Sequence, residues 1–317
     1  MRLAFVGFGR IAPSHLQAFR ALGCEFVGVA ARSAATLERA RRDAGIANGY
    51  TSVAELVREQ NPDGIVCAPA IDANFEVARS LLPLGVPTLL EKPPGKSVAE
   101  VGELADLAKR YDTPVQVAFN RLHYASLRAA IAHAGGLERI SHVSVEWSED
   151  PQHLASRGFS SQQIAERSCT NSIHGLSLLT YLAGALPAPQ LACVTLPGAF
   201  RWLMSLQGRS DRGVLAQFTS NWDAQVPWRL TFSVPEARYV FSPLEACSVQ
   251  RRGSSEALAL DATEADFKPG FLSQARTFLG VIRERNVPSF VTLQAALAPL
   301  NLAEALTRAC LSEASAK

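Results

Sequence analysis

The stretch that decides the fold runs Leu3-Ala4-Phe5-Val6-Gly7-Phe8-Gly9-Arg10-Ile11-Ala12. The four leading residues read as a buried strand, and they end in a G-x-G-x-x-A pattern. A helical spacing of apolar residues follows at Ile11, Leu16, Phe19 and Leu22, and Gly23 stops it. Gly7 permits a tight turn, Gly9 lets the backbone approach a pyrophosphate, and the small Ala12 lets the helix pack close to the strand. The helix N-terminus then turns its amide N–H groups and positive dipole end toward phosphate. The motif alone is weak. Its place after a strand and before a helix, opening a βαβ unit, gives it weight.

Working outward, strands are expected at 26–31, 64–68, Thr88–Leu90 and 115–119. Helices are expected at about 35–43, 52–59, 74–84 and 98–111. Strands alternating with helices over short loops imply a parallel sheet covered on both faces. After about Asn120 the rhythm changes. A helix at Ala125–Ala134 leads into longer, alternating strands at 140–147, 213–222, 228–234 and 237–241, then helices at about 270–285 and 293–312. Alternation of this kind suggests an antiparallel sheet with one freer face. The expected fold is α/β: a Rossmann domain over 1–120, then an α+β domain over 121–317 with an open, mostly antiparallel sheet. The C-terminal helix is allowed to pack back on the first domain.

The totals exclude several functions. The chain has 317 residues, 48% hydrophobic and 19% charged, with a net charge of +2. It has no basic field for nucleic acid and no composition of a disordered chain. The uncharged stretch between Ser168 and Phe200 has its longest apolar piece at 175–186, too short to span a bilayer. Cys24, Cys67, Cys169, Cys193, Cys247 and Cys310 are scattered and form no CxxC pair, so they read as reduced core thiols of a cytoplasmic protein rather than a metal site.

Three places carry chemistry. At the end of the second strand an acid would bind the ribose hydroxyls of NAD. The chain has Ala31-Arg32-Ser33 instead, a pattern that favours NADP, with NAD still open. Glu91-Lys92-Pro93 follows a parallel strand, on the side where such sheets bind ligands. A lysine there can hydrogen-bond a substrate hydroxyl or exchange a proton with it. Third, Thr170-Asn171-Ser172-Ile173-His174 opens a helix expected to begin near Asn171, with Thr170 and Asn171 near the face of His174. A buried, satisfied core histidine is the plainer reading of that residue taken alone.

Together these motifs resemble one family, the glucose–fructose oxidoreductase, inositol dehydrogenase and rhizopine-catabolism group (Gfo/Idh/MocA). The resemblance rests on Gly7-x-Gly9-x-x-Ala12, Ala68-Pro69, Glu91-Lys92-Pro93, Phe119-Asn120-Arg121, the His174 helix and the 278–306 region. It implies an NAD(P)-dependent oxidoreductase acting on a sugar, polyol or nucleotide sugar, assembled as a homodimer or homotetramer. It implies Lys92 and His174 as the catalytic pair. It implies cofactor contacts from Gly7, Gly9, Arg10, Ile11 and Ala12, then Arg32 and Ser33. Further cofactor contacts are implied for Ala68, Pro69, Asn74, Glu91, Lys92, Pro93 and Asn120. Substrate contacts are expected from Lys92, Arg121, Tyr124, Trp147, Arg157, Asn171 and His174, with His123, His153 and Trp222 nearby, and no metal.

The chain departs from the family pattern in two places. Many members carry an aspartate four residues before the histidine, where this chain has Thr170, and another three residues after it, where it has Ser177. Without that charge His174 is expected to be a weak base, so Lys92 is expected to carry the proton while His174 positions substrate. Asp150 or Glu166 is a candidate to supply the missing carboxylate. The missing acids also leave open a catalytically inactive, ligand-sensing member of the same fold. The open sheet of the second domain is expected to bury an apolar face against another copy.

Overall fold

Residues 3–6 and 65–67 are apolar without alternation, so they need a sheet covered by helices on both sides. The computed structural model describes residues 1–315 and contains that sheet. Its elements are β1 (Arg2–Val6), α1 (Ala12–Ala21), β2 (Glu25–Ala30), α2 (Ala34–Ala44), β3 (Gly49–Tyr50), α3 (Val53–Gln60), β4 (Gly64–Cys67), α4 (Asn74–Leu81), β5 (Thr88–Leu90), α5 (Val98–Arg110) and β6 (Val115–Val117). The strand order is β3-β2-β1-β4-β5-β6, and all pairs are parallel. The order reverses between β1 and β4, which opens a crevice beyond their carboxyl ends. Ser33, Ser52 and Ser97 start α2, α3 and α5, each accepting the N–H three residues on.

The second sheet is built from β7 (His142–Ser148), β8 (Gln190–Thr195), β9 (Trp202–Arg209), β10 (Leu215–Asn221), β11 (Arg229–Val234), β12 (Ala237–Phe241), β13 (Ser248–Arg251) and β14 (Ser254–Ala257). Before it come α6 (Ala125–Ala134), and between β7 and β8 come α7 (Pro151–Ser156), α8 (Ser161–Ala165), a π turn at Ser168–Ser172 and α9 (Ile173–Ala183). The order is β14-β13-β12-β11-β7-β10-β9-β8, antiparallel except for the β7–β10 pair. Strands β8, β9, β13 and β14 are additions to the sequence reading.

The expected apolar free face needs correction. Val143, Val145, Phe218, Leu206, Leu230 and Phe232 are buried on the covered face. The other face carries polar cross-strand rows, with Ser144 opposite both Gln217 and Thr231, Gln217 opposite Gln207, and Thr219 opposite Ser205. Alternation sorts the residues onto two faces, and the freer side carries these hydroxyls and amides together with the Val194–Leu203 pair and exposed Leu215.

The chain ends with α10 (Phe271–Glu284) and α11 (Leu293–Ser315). It divides into two compact units: residues 1–123 with 263–297, and residues 124–262 with 298 onward. The first boundary lies three residues from the expected one, but 263–297 returns to the first unit. The cause is α10, whose Phe271, Leu272, Ala275, Phe278 and Leu279 join the core of Leu3, Phe5 and Phe19. Gly64 makes room for it, since a Cβ there would stand 2.6 Å from Ile282 Cδ1. Gln116 Nε2 also donates to the Gln274 carbonyl at 3.2 Å.

The cysteine reading also needs correction. Cys193 of β8 and Cys310 of α11 form a disulfide with a Cα–Cα separation of 5.4 Å. Cys193 pairs in register with Met204 and so points to the covered face, where α11 brings Cys310. Cys24, Cys67, Cys169 and Cys247 are free, buried thiols as expected. No helix among the described residues is long and apolar enough to cross a membrane.

Candidate active site

In the first unit the dinucleotide loop is shaped by close backbone contact. Gly7 has φ +74° and donates its N–H to the Ala30 carbonyl at 2.8 Å. A Cβ on Gly7 would lie 2.5 Å from Pro69 Cα, so Ala68-Pro69 at the end of β4 is the wall against which the loop turns. Gly9 donates to the Ala68 carbonyl at 3.0 Å, and a Cβ there would sit 3.0 Å from that oxygen. Phe8 is buried edge-on against Phe5 at 5.2 Å. Arg10 is exposed, Ile11 is the residue before α1, and Ala12 is buried under it.

Arg32 is exposed at the end of β2. The Ser33 hydroxyl accepts from Thr36 N–H at 3.1 Å and donates to Thr36 Oγ1 at 3.0 Å. Sequence reasoning missed Arg39. From α2 it donates to the Phe8 carbonyl, with its guanidinium 6.0 Å from the Phe8 ring centre.

The Glu91-Lys92-Pro93 turn beyond β5 is anchored on both sides. Asn74, buried at the start of α4, donates Nδ2 to the carbonyls of Glu91 and Pro93 at 2.5 and 2.6 Å. Glu91 accepts the Lys92 N–H at 3.1 Å and lies 2.7 Å from His15 Nε2 of α1. Asn120 Nδ2 donates to the Pro269 carbonyl at 3.1 Å, tying the strand β6 exit to the returning segment. That segment brings Lys268, a residue the sequence reading did not single out, over the Phe271 ring at 5.3 Å. Desolvation holds the Lys268 pKa below the usual lysine range, with Arg121 and Arg10 adding to the fall and Glu91 opposing it. Arg121 is half-buried, and His123 is buried with its ring 5.5 Å from that of Phe290.

In the second unit the π turn leads into α9, so the helix proper begins two residues later than Asn171. His174 is buried in its first turn, and its carbonyl accepts from Ser177 Oγ at 2.9 Å. Thr170 is buried, while Asn171 is half-buried. Trp147 is a core residue with 1% exposure, stacked on Trp228 at 4.0 Å. Gly175 is required beside it, since a Cβ there would lie 2.7 Å from Trp147 Cε3. Trp222 is likewise in the core, Tyr124 precedes α6 and is buried, His153 is exposed on α7, and Arg157 is exposed just after it.

The carboxylate beside the His174 turn is Glu149. Its Oε1 accepts from Asn171 Nδ2 at 2.8 Å, Ser172 Oγ at 3.0 Å and Trp147 Nε1 at 3.2 Å. Asp150 instead caps α7 through His153 N–H at 2.9 Å, and Glu166 accepts from Gln162 Nε2 at 2.9 Å. The alternation Val143, Val145, Trp147 carries the signal: continued by two, it turns residue 149 inward and residue 150 outward. Among the described residues no cluster of His, Cys, Asp and Glu is arranged to hold a metal.

Residues 1–119 match the model of the GFO_IDH_MocA oxidoreductase family, described as an NAD-binding Rossmann fold. Residues 1–119 form a Rossmann domain of that family. Among curated relatives of this family domain, the chain is 32% identical over 143 residues to the myo-inositol dehydrogenase Hyg17 of Streptomyces leeuwenhoekii. That match covers 44% of this chain and 43% of the relative. It is 26% identical over 153 residues to the rhizopine catabolism protein MocA of Rhizobium meliloti, covering 47% of this chain and 48% of that protein. The chain thus spans about half the length of the curated relatives it matches. In three dimensions the likeness to solved Gfo/Idh/MocA structures extends over the whole chain. A family oxidoreductase from Vibrio cholerae superposes with TM-score 0.81 at 20% identity, covering 100% of both chains. UDP-N-acetylglucosamine 3-dehydrogenase GnnA from Acidithiobacillus ferrooxidans superposes with TM-score 0.80 at 18% identity, covering 99% of this chain and 98% of that one.

Proposed function

We propose that the chain moves a hydride between NAD(P)(H) and a hydroxyl or carbonyl of a sugar, polyol or nucleotide sugar. The observation that carries this reading is the anchored lysine turn on a family Rossmann domain. Asn74, Glu91 and His15 fix the backbone that carries Lys92, beyond the carboxyl end of β5. The donor set fits a phosphorylated dinucleotide. Arg10 lies in the glycine loop, Arg39 donates to its Phe8 carbonyl, and exposed Arg32 follows β2, where Ala31 brings no carboxylate. Gly7, Gly9, Ile11 and Ala12 let that loop approach the pyrophosphate, and Arg32 with Arg39 favours the 2′-phosphate of NADP.

The bound nicotinamide supplies the acceptor or donor of hydride. Lys92 takes the hydroxyl proton when the alcohol is oxidised and returns it when the carbonyl is reduced. His174 positions substrate through hydrogen bonding, with Arg121, Arg157 and Asn171 as further polar contacts. A sugar-like substrate is supported by the inositol and amino-sugar dehydrogenases among the relatives. A homodimer or homotetramer is proposed through hydrogen bonding across the polar sheet face. We place the protein in the cytoplasm, where the four free, buried thiols Cys24, Cys67, Cys169 and Cys247 stay reduced. The reading is tested by following cofactor oxidation and reduction against a panel of sugars, inositols and nucleotide sugars. Stoichiometric cofactor turnover with one of them is expected. Tight cofactor binding with no turnover across the panel, in both directions, would contradict it.

A further inference from the structure

Glu149 follows β7 and is 6% exposed. A carboxylate so buried persists only where its charge is met by donors. Both of its oxygens are engaged. Oε1 takes the donors of Trp147, Asn171 and Ser172 at 3.2, 2.8 and 3.0 Å. Oε2 takes Arg167 Nε and Nη2 at 3.3 and 3.2 Å. The group therefore acts on its neighbours, by holding them.

Two of those neighbours, Asn171 and Ser172, lie in the π turn at Ser168–Ser172. A π turn inserts extra backbone ahead of a helix and so resets the direction in which the next side chains leave it. His174 is the second residue of the helix that follows. Trp147 links the same parts from the other side. Its N–H binds Glu149, while its ring lies where Gly175, next to His174, has no Cβ. One carboxylate thus joins the end of β7, the π turn and the indole against which the His174 turn packs.

We propose that Glu149 is the positioning residue for His174, acting through Asn171 and Ser172, with Arg167 neutralising its outer oxygen. The inference rests on the reading of His174 as a substrate-positioning group, but every contact it uses lies within the second unit.

The test uses the full chain with histidines labelled at Cε1 for NMR. The sequence has six histidines, and His174→Asn assigns the one concerned. Two variants are compared with the parent: Glu149→Gln, and the double variant Asn171→Ala/Ser172→Ala, which leaves the Glu149–Arg167 pair in place. Both should displace the His174 resonance and leave the other five where they are. With a substrate in hand, Glu149→Gln should raise KM about tenfold, the worth of one charge-assisted hydrogen bond, and change kcat less. If Glu149→Gln does not fold, the double variant decides. A folded double variant whose His174 resonance keeps its parental position overturns the proposal. Absence of turnover on every substrate would count against the oxidoreductase reading and leave the spectral result standing.

Discussion

His15 Nε2 lies 2.7 Å from Glu91 Oε1, joining the helix of the dinucleotide loop to the turn that carries Lys92. His15 is 1% exposed, and its ring packs on Phe271 at 4.8 Å. The contact couples cofactor loop and lysine turn through one hydrogen bond to a carboxylate that also accepts the Lys92 N–H. Replacing His15 with Leu keeps the apolar contact and removes the polar one. Stability by urea denaturation should fall by about 1.5–3 kcal/mol, the usual worth of a hydrogen bond to a charged group. Cofactor affinity should fall with it. A variant unchanged in both would remove this coupling from the account.

Arg32 and Arg39 should separate the two cofactors. Arg32 is exposed, and Arg39 already holds the Phe8 carbonyl. Arg32→Ala should weaken NADP(H) by roughly tenfold to a hundredfold, the loss of a charge-assisted phosphate contact of about 1.5–3 kcal/mol, and barely change NAD(H). Arg39→Ala should weaken both, because it also frees the loop. Fluorescence titration at one ionic strength reads this. Equal parental affinities for the two cofactors would end the NADP preference.

Much of this was legible in residues whose partners are close in sequence. The G-x-G-x-x-A loop, the Ser52 cap and five of the first sheet's strands, β1, β2, β4, β5 and β6, follow from local pattern. The return of 263–297 to the first unit did not. The apolar stripe of α10 shows that it packs, but only the space at Gly64 shows on what. Strand β8, with exposed Leu191 and Val194, lies at a sheet edge and lacks the alternation that reveals a strand. At the site, Glu91-Lys92-Pro93 was visible as a motif and the β7 alternation points to Glu149, whereas Arg39 and Lys268 gain meaning only from what they meet in the fold.

Gly175 gives a packing prediction. Its missing Cβ leaves Trp147 Cε3 and Phe218 Cε2 where a methyl would sit at 2.7 and 3.0 Å. In an exposed helix Gly→Ala would stabilise. Here it should cost about 1–3 kcal/mol, the range for overpacking a filled core. Thermal denaturation reads the sign, and a raised Tm would show that the indole yields.

The cysteines give a chemical prediction. Burial pushes the Cys169 and Cys247 thiols up to about 12, and Cys24 and Cys67 upward as well. Thiolate is the reactive form, so the folded protein should react slowly with thiol reagents at neutral pH. Denatured without reductant, protein isolated under oxidising conditions should show four thiols. With reductant it should show six, because Cys193 and Cys310 are paired. Six thiols without reductant would mean that the bridge does not form.

The central claim is that Lys92 moves the proton while His174 positions substrate. Steady-state kinetics of Lys92→Met and His174→Asn, on one substrate and with saturating cofactor, test it most directly. Lys92→Met should lower kcat by about two to four powers of ten, the worth of general acid–base catalysis. His174→Asn should raise KM more than it lowers kcat. If His174→Asn loses as much kcat as Lys92→Met, or more, the assignment is contradicted.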